Sequence, residues 1–279
     1  MSHSRVWTAE EISSRLGIST AVFQQSDLEE KHIAEIREAG IERIEISCIP
    51  RCLDYHNPSS VQEIKRACES HGVRVVSVHG PLGLPYGNDD EVVRTELVRE
   101  SLAAIRFAVE MDAPIYVAHF GYLDHGKKTV VELLEATDDL KIKLTTENQT
   151  RQPIERYAQV VDEIGSERFG VILDIGHPRD EDGVNPFVKE DKARRLIANL
   201  GRRLFHVHLH ETFDLDKKPD HRPPMHAKGL IAWEEVFAGL KGAGYEGTLL
   251  FEDGRGEDLA EWVRHTADFP SKFEARYGE

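Results

Sequence analysis

Leu204-Phe205-His206-Val207-His208-Leu209-His210 is the stretch of this chain that decides its fold. Side chains alternate between the two sides of a strand, so the three histidines share one side and the three apolar residues after Leu204 share the other. The apolar side suits packing against helices. The histidine side then faces the interior of a closed sheet, where imidazoles are costly unless they are paired or bind a metal. The pattern predicts a barrel strand that ends at a functional site.

Similar short runs, rich in Val, Ile, Leu or Phe, recur along the whole chain, as expected for strands. The strand candidates are 18–23, 42–48, 73–79, 115–120, 141–147, 169–175, 203–210 and 247–252. Segments with helical spacing lie between them, for example 28–39 and 91–111. Thr8-Ala9-Glu10-Glu11 has the form of a capping box and predicts a short leading helix.

The alternation of strands and helices predicts a parallel sheet with helices around it. Eight units favour a closed barrel over an open doubly wound sheet, and no GxGxxG follows the first strand, which argues against a dinucleotide site. A (β/α)8 barrel needs about 250 residues, close to the whole chain. We therefore predict an α/β fold in which residues 1–279 form a single (β/α)8 TIM barrel, with a parallel closed sheet and outer helices.

Most of the predicted strands end in an ionisable side chain on the same parity, at the end where active sites of this fold lie. These side chains are Glu45, His79, His119, Glu147, Asp174, His208 and Glu252. Taken singly, such a glutamate could cap a helix, the aspartate could belong to a turn, and the histidines could be hydrogen-bonded core residues. Their recurrence at one end of so many strands favours a shared chemical site.

Two glutamates, an aspartate and an imidazole that converge from four strands suit a divalent cation. The predicted ligands are Glu147, Asp174, His208 and Glu252. Oxygen-rich sites favour Mg²⁺ or Mn²⁺, and added imidazoles shift the preference toward Zn²⁺ or Co²⁺. The expected cofactor is therefore one of these four ions.

Composition limits the partners of this chain. It carries 35 Lys and Arg against 50 Asp and Glu, a formal charge of −15, which argues against a nucleic-acid partner. No run approaches the ~18 apolar residues of a membrane span, and the first residues have no apolar signal-peptide core, so we expect a cytoplasmic protein. The chain has three cysteines, Cys48, Cys52 and Cys68. This small, odd number gives no disulfide framework, so we expect reduced thiols.

A set of short motifs resembles the xylose isomerase-like barrel superfamily, which includes sugar epimerases, inosose and dehydroshikimate dehydratases, and endonuclease IV. The resemblance spans nearly the whole chain, and its motifs identify the superfamily better than any one member. They are Ser77-Val78-His79-Gly80-Pro81, Ala118-His119-Phe120-Gly121, Thr146-Glu147-Asn148, Leu173-Asp174-Ile175-Gly176-His177, His206-Val207-His208-Leu209-His210-Glu211, Gly229-Leu230-Ile231-Ala232-Trp233 and Phe251-Glu252-Asp253.

The resemblance implies roles for single residues. The four predicted ligands match the shared metal ligands of the superfamily, and His79 and His119 match positions that bind an additional zinc in the endonucleases. His177 matches a histidine that contacts substrate in the epimerases, and Arg222 matches, more loosely, an arginine that grips substrate oxygens. The expected substrate contacts are His79, His119, His177, Arg222 and Glu45.

Two classes of function follow. The first is an isomerase or epimerase for a small sugar, sugar acid or polyol, in which Glu147 and Glu252 move a proton next to a carbonyl and a metal stabilises the enediolate. A dehydratase would use the same base. The second is a zinc phosphodiesterase acting on abasic DNA. The endonucleases carry an Asp-x-His pair after the seventh strand, where this chain reads Asp220-His221-Arg222, with His226 beyond.

Three further points stay open in the sequence. A binding or degenerate barrel, which keeps the metal-ligating residues but catalyses no reaction, remains an alternative. Barrels of the superfamily are monomers, dimers or tetramers, so the chain could also form a homo-oligomer. Glu211 is expected either to orient His208 or a substrate, or to be a solvated strand end.

Overall fold

The structure is a computed structural model that describes residues 6–23, 26–49, 52–86, 88–150, 152–213, 215, 221–252 and 259–278. Within these residues eight parallel strands form a closed barrel in which each strand pairs with the next along the chain and β8 pairs with β1. The strands are β1 Leu16–Ser19, β2 Arg43–Ser47, β3 Arg74–His79, β4 Ile115–Ala118, β5 Lys143–Glu147, β6 Phe169–Asp174, β7 Leu204–Leu209 and β8 Leu249–Phe251. The predicted fold is confirmed.

Helices cover the outside of the barrel. In the described part of the chain they are α1 Ala9–Ser13, α2 Glu30–Glu38, α3 Pro58–His71, α4 Glu91–Glu110, α5 Asp124–Ala136, α6 Ile154–Ile164, α7 Glu190–Leu200, α8 Trp233–Gly242 and α9 Leu259–Tyr277. The predicted capping box begins α1: the Thr8 hydroxyl accepts from the Glu11 amide, and the Glu11 carboxylate accepts from the Thr8 amide. None of the described helices is long and apolar enough to cross a membrane.

The alternation read from the seventh strand holds in three dimensions. Val207 and Leu209 are fully buried toward the helices, whereas His206, His208 and His210 are buried on the barrel side, where carboxylates and a serine are their partners. Parity alone therefore identifies the side chains that enter the barrel.

The first strand differs from its prediction. Residues 18–23 were expected to be extended, but β1 ends at Ser19 and Thr20–Phe23 form a 3-10 helix. The Ser19 hydroxyl accepts from the Ala21 amide at 3.3 Å, which favours a turn directly after the strand. A short, wholly buried apolar run does not reveal its secondary structure through periodicity.

Candidate metal centre

The four predicted ligands meet at the carboxyl-terminal rim of the barrel. Glu147 and Asp174 end β5 and β6, His208 lies near the end of β7, and Glu252 follows β8 directly. One ligand atom from each lies within 4.8 Å of those of the other three. All except Glu252 are fully buried, and Glu252 is 12% exposed. The spacing would let one cation touch all four side chains.

His208 lies between carboxylates on both sides of its ring. Its Nε2 is 3.1 Å from Glu45 Oε2, and its Nδ1 is 3.1 Å from Glu252 Oε2 and 3.6 Å from Glu147 Oε1. Burial disfavours a charged imidazole, but the neighbouring carboxylates hold the pKa of His208 well above its ordinary value. Nδ1 has no hydrogen-bond partner among the described residues, although it is buried. A nitrogen left in this way, facing carboxylates, fits a cation between them.

Asp174 is held so that one oxygen remains for the site. Its Oδ1 accepts hydrogen bonds from the amides of Gly176 (2.6 Å) and His177 (2.8 Å) and from His210 Nε2 (3.1 Å). No backbone amide of the described residues donates to Oδ2, which lies 3.3 Å from His210 Nε2 and 3.6 Å from His177 Nε2. Although burial opposes ionisation, the adjacent imidazoles of His177 and His210 hold the pKa of Asp174 far below its usual value. The carboxylate is therefore ionised and directs Oδ2 at the cluster.

Glu147 lies at the centre of the remaining imidazoles. Its Oε2 is 3.2 Å from His79 Nε2 and 3.7 Å from His119 Nε2, and its Oε1 is 3.3 Å from His177 Nδ1. Burial opposes ionisation, yet the imidazoles keep the pKa of Glu147 well below its normal value. Burial also pulls the pKa of His79 down, but Glu147 outweighs it and raises that pKa to about 9, whereas desolvation lowers the pKa of His119 to about 4.

Backbone carbonyls orient two of these rings. His79 Nδ1 is 2.8 Å from the Gly80 carbonyl, and His177 Nδ1 is 3.0 Å from the Asn148 carbonyl. A ring that donates from Nδ1 can offer Nε2 to a cation that takes the place of the Nε2 proton, which is the arrangement of a histidine ligand held by a second hydrogen bond. His79, His119 and Glu147 therefore form a second group with ligand spacing beside the first.

His221 joins the site from the loop after β7, which the sequence left open. Its Nε2 is 3.9 Å from Asp174 Oδ2 and 3.8 Å from Glu252 Oε2, and its ring stacks on His210 with centroids 4.1 Å apart. His226, the other histidine of the loop, instead lies against Phe213 at 4.6 Å. No signal in the sequence tells which of the two histidines reaches the site. Asp220 lies outside the described residues.

Two predicted substrate contacts take other positions. Glu45 lies behind His208 with no exposed surface, and Ser19, Ser77 and His208 surround its oxygens, so the structure does not support direct contact with a substrate. The guanidinium carbon of Arg222 lies 5.2 Å from the centre of the Phe213 ring, and its role stays a prediction.

Glu211 corrects both expectations made for it. It is buried, and its carboxylate accepts from the backbone amides of Thr212, Leu230 and Ile231 and from the Trp233 indole at 2.7–3.1 Å. It therefore ties the end of β7 to the loop that leads into α8, and points neither at His208 nor at solvent.

A cavity of about 280 Å³ opens beside the cluster, with His119 and His177 in its wall. The other side chains in its wall include Leu82, Leu84, Tyr86 and Gln149. Its volume is at the lower end of the range for small-molecule sites. The two histidines connect it to the carboxylates of the metal centre.

Comparison with known proteins agrees with this architecture. A family model described as the xylose isomerase-like TIM barrel matches residues 33–272. An uncharacterized protein of Methanocaldococcus jannaschii is 27% identical over 265 residues, covering 87% of this chain and 84% of that protein.

Solved structures superpose over nearly the full chain. A D-tagatose 3-epimerase-like protein has a TM-score of 0.74 at 22% identity, over 94% of this chain and 98% of its own. A D-psicose 3-epimerase crystallised with D-fructose has 0.72 at 15%, over 94% and 99%. An AP endonuclease family 2 protein from Brucella melitensis has 0.65 at 18%, over 95% and 99%. At these identities the likeness shows the fold, and together with the family match over residues 33–272 it leads to one conclusion: the chain belongs to the xylose isomerase-like TIM barrel family.

Proposed function

We propose that this chain is a divalent-metal-dependent isomerase or epimerase that acts on a small sugar, sugar acid or polyol. The observation that carries the proposal is the group Glu147, Asp174, His208 and Glu252, whose ligand atoms lie within 4.8 Å of one another, with the unpaired Nδ1 of His208 facing the carboxylates. Bound there, a divalent ion would supply Lewis-acid polarisation of the substrate's oxygens.

The chain's own residues would move the proton. Glu147 and Glu252 come from β5 and the end of β8, so their carboxylates approach the mouth from different points of the ring. Each has two oxygens, so one oxygen can face the cation while the other faces the carbon–hydrogen bond next to the carbonyl. Removal by one carboxylate and return by the other, on the opposite face, would invert that carbon.

The neighbouring histidines suit the hydroxyls of such a substrate. His177 is 16% exposed and lines the 280 Å³ cavity, and its ring is held by the Asn148 carbonyl. The names of two structural neighbours, D-psicose 3-epimerase and D-tagatose 3-epimerase-like protein, point to the same class of substrate.

One observation favours the phosphodiesterase as second candidate. Besides the four-residue group, three sets of side chains have ligand spacing, enough for more than one ion: His79, His119 and Glu147; Asp174, His177 and His221; and Glu45, His206 and His208. The charge of −15 opposes binding to a polyanion. We therefore keep this reading as an outcome of the test.

The test combines metal analysis with two substrate panels. The purified chain is analysed for metals, then incubated in D₂O with ketoses and keto-inositols, and separately with an abasic-site oligonucleotide. We expect about one or two divalent ions per chain and deuterium exchange on a sugar carbon next to a carbonyl. Cleavage of the oligonucleotide by a protein with about three zinc ions would overturn the proposal.

Removing the ion is expected to lower the thermal stability. At a free ion concentration of 1,000 times its Kd, a bound ion adds about 4 kcal/mol to the free energy of unfolding. For a chain of this size, losing the ion therefore lowers Tm by about 7 °C. The physical reason is that Glu147, Asp174 and Glu252 are then left close together without the cation. Calorimetry before and after chelation, and after re-addition of the metal, measures this. An unchanged Tm after complete loss of the metal would contradict the proposed site.

A further inference from the structure

A hydrogen-bonded column of polar side chains runs through the barrel beneath the metal centre. Glu45, on β2, is its centre and has no exposed surface. Ser77 Oγ is 2.8 Å from Glu45 Oε2, His208 Nε2 is 3.1 Å from the same oxygen, and Ser19 Oγ is 3.2 Å from Oε1. His206 Nε2 is 3.0 Å from Ser77 Oγ. Four strands thus contribute to one chain of hydrogen bonds.

Counting protons gives each bond in this column a direction. A carboxylate can only accept, so Ser19, Ser77 and His208 all donate to Glu45. The Ser77 hydroxyl has one proton, which it gives to Glu45, so His206 must donate to Ser77. The Ser19 oxygen in turn accepts from the Ala21 amide. When Glu45 is ionised, each of these hydroxyl and Nε2 protons has an acceptor within the column.

The direction of the bond from His208 sets the state of its ring. When a cation replaces the second proton of the His208 ring, the imidazole that donates from Nε2 presents a lone pair at Nδ1, and Nδ1 is the atom that faces Glu147 and Glu252. Glu45 is absent from the wall of the cavity and from the four-residue group, and its contact with that group is the bond to His208 Nε2 at 3.1 Å, so its effect on the ion would pass through His208. We propose that Glu45 is a positioning residue that keeps the proton of His208 on Nε2 and thereby leaves Nδ1 free to bind a divalent cation.

The reason a carboxylate is needed here is its lack of a donor. A glutamine amide at position 45 presents a carbonyl on one side and an NH₂ group on the other. If the NH₂ turns toward His208, Nε2 must accept, and the proton moves to Nδ1, where it blocks the cation. In the opposite orientation the NH₂ faces Ser19 Oγ and the carbonyl still accepts from His208 and Ser77, so a residue without any acceptor is the stricter replacement for Glu45.

The test is Glu45→Leu, which removes both accepting oxygens, with Ser19→Ala as its matched control. Ser19→Ala removes a donor from the same carboxylate but does not involve His208. We measure Co²⁺ affinity by competition with a chromophoric chelator, with melting curves to verify folding. Glu45→Leu is expected to weaken Co²⁺ binding about 10- to 100-fold, and Ser19→Ala by less than about threefold.

A second measurement does not depend on the folding of either variant. Long-range ¹H–¹⁵N correlation spectra of the Zn²⁺-loaded wild-type protein, assigned by comparison with His208→Gln, report which nitrogen of His208 carries the proton. The proposal requires the proton on Nε2, and a proton on Nδ1 would refute it.

The inference rests on the proposed function only in requiring a bound cation. If the wild-type protein binds no Co²⁺, the proposed function and this inference fail together. If the wild-type protein binds Co²⁺ and Glu45→Leu binds it equally well, the inference alone fails. Neither measurement uses a sugar, so an incorrect substrate class would leave both results intact.

Discussion

Glu147→Gln is expected to lower turnover by at least about 1,000-fold, because it removes both a metal ligand and the base that takes the proton. Among the described residues, the ion pairs of this carboxylate within 4.0 Å are all to imidazole nitrogens, those of His79, His119, His177 and His208. An amide replaces one accepting oxygen by a donor and removes the negative charge that pairs with these rings. Steady-state kinetics on the sugar found by the substrate panel measures the loss.

Metal content must be measured on the same samples, because a variant without its ion is inactive whatever the role of the base. Glu63→Gln, an exposed change on α3 with the same chemistry, should retain full activity. Glu252→Gln offers the sharper comparison. If the two carboxylates act on opposite faces, each variant that retains metal should exchange deuterium into one epimer only, without converting it into the other. Turnover near the wild-type rate in either variant would refute the acid–base assignment.

Gly176→Ala is expected to lower the free energy of unfolding by about 3–5 kcal/mol, the cost of overpacking plus a lost buried hydrogen bond to a charge. A Cβ at position 176 would lie 1.6 Å from His210 Cε1 and 2.3 Å from its Nε2. His210 is fully buried and donates to Asp174, so it cannot yield without breaking that bond. Denaturant unfolding measures the change, and we expect weaker metal retention as a second effect.

Gly242→Ala is the matched control, because a Cβ there meets nothing within 4 Å on α8. Its effect should stay within about 1 kcal/mol. A double-mutant cycle with His210→Ala isolates the cause: once the ring is removed, the added methyl group at position 176 should cost far less. Additive effects in the cycle would show that the clash with His210 is not the reason for the instability.

Much of the site could be predicted because it depends on a local rule. The period of two along a strand assigns each side chain to the barrel or to the helices, and the end of a parallel strand is recognisable from where the apolar run stops. The side to which His206, His208 and His210 point, and the meeting of Glu147, Asp174, His208 and Glu252, followed from that rule.

The loops and the boundaries between elements were harder to predict. The turn after Ser19 was hidden because Thr20–Phe23 are all buried, and a run without exposed positions has no readable period. His221 reaches the site through the fold of a loop, held in part by the antiparallel bridge between Glu211 and Arg222. Glu211 and Arg222 are 11 residues apart, and their pairing depends on how the loop packs, which the spacing of residues along the chain does not predict.

By itself, the sequence determined that eight strands would alternate with helices and which side chains would enter the barrel, because both follow from periodicities within single elements. Only the tertiary structure decided that Glu45 would lie behind His208, that His221 rather than His226 would reach Asp174, and that Glu211 would turn away to hold the loop before α8. These are distances across a closed ring and between distant loops. They arise when the barrel closes and its layers pack, and no local pattern along the chain encodes them.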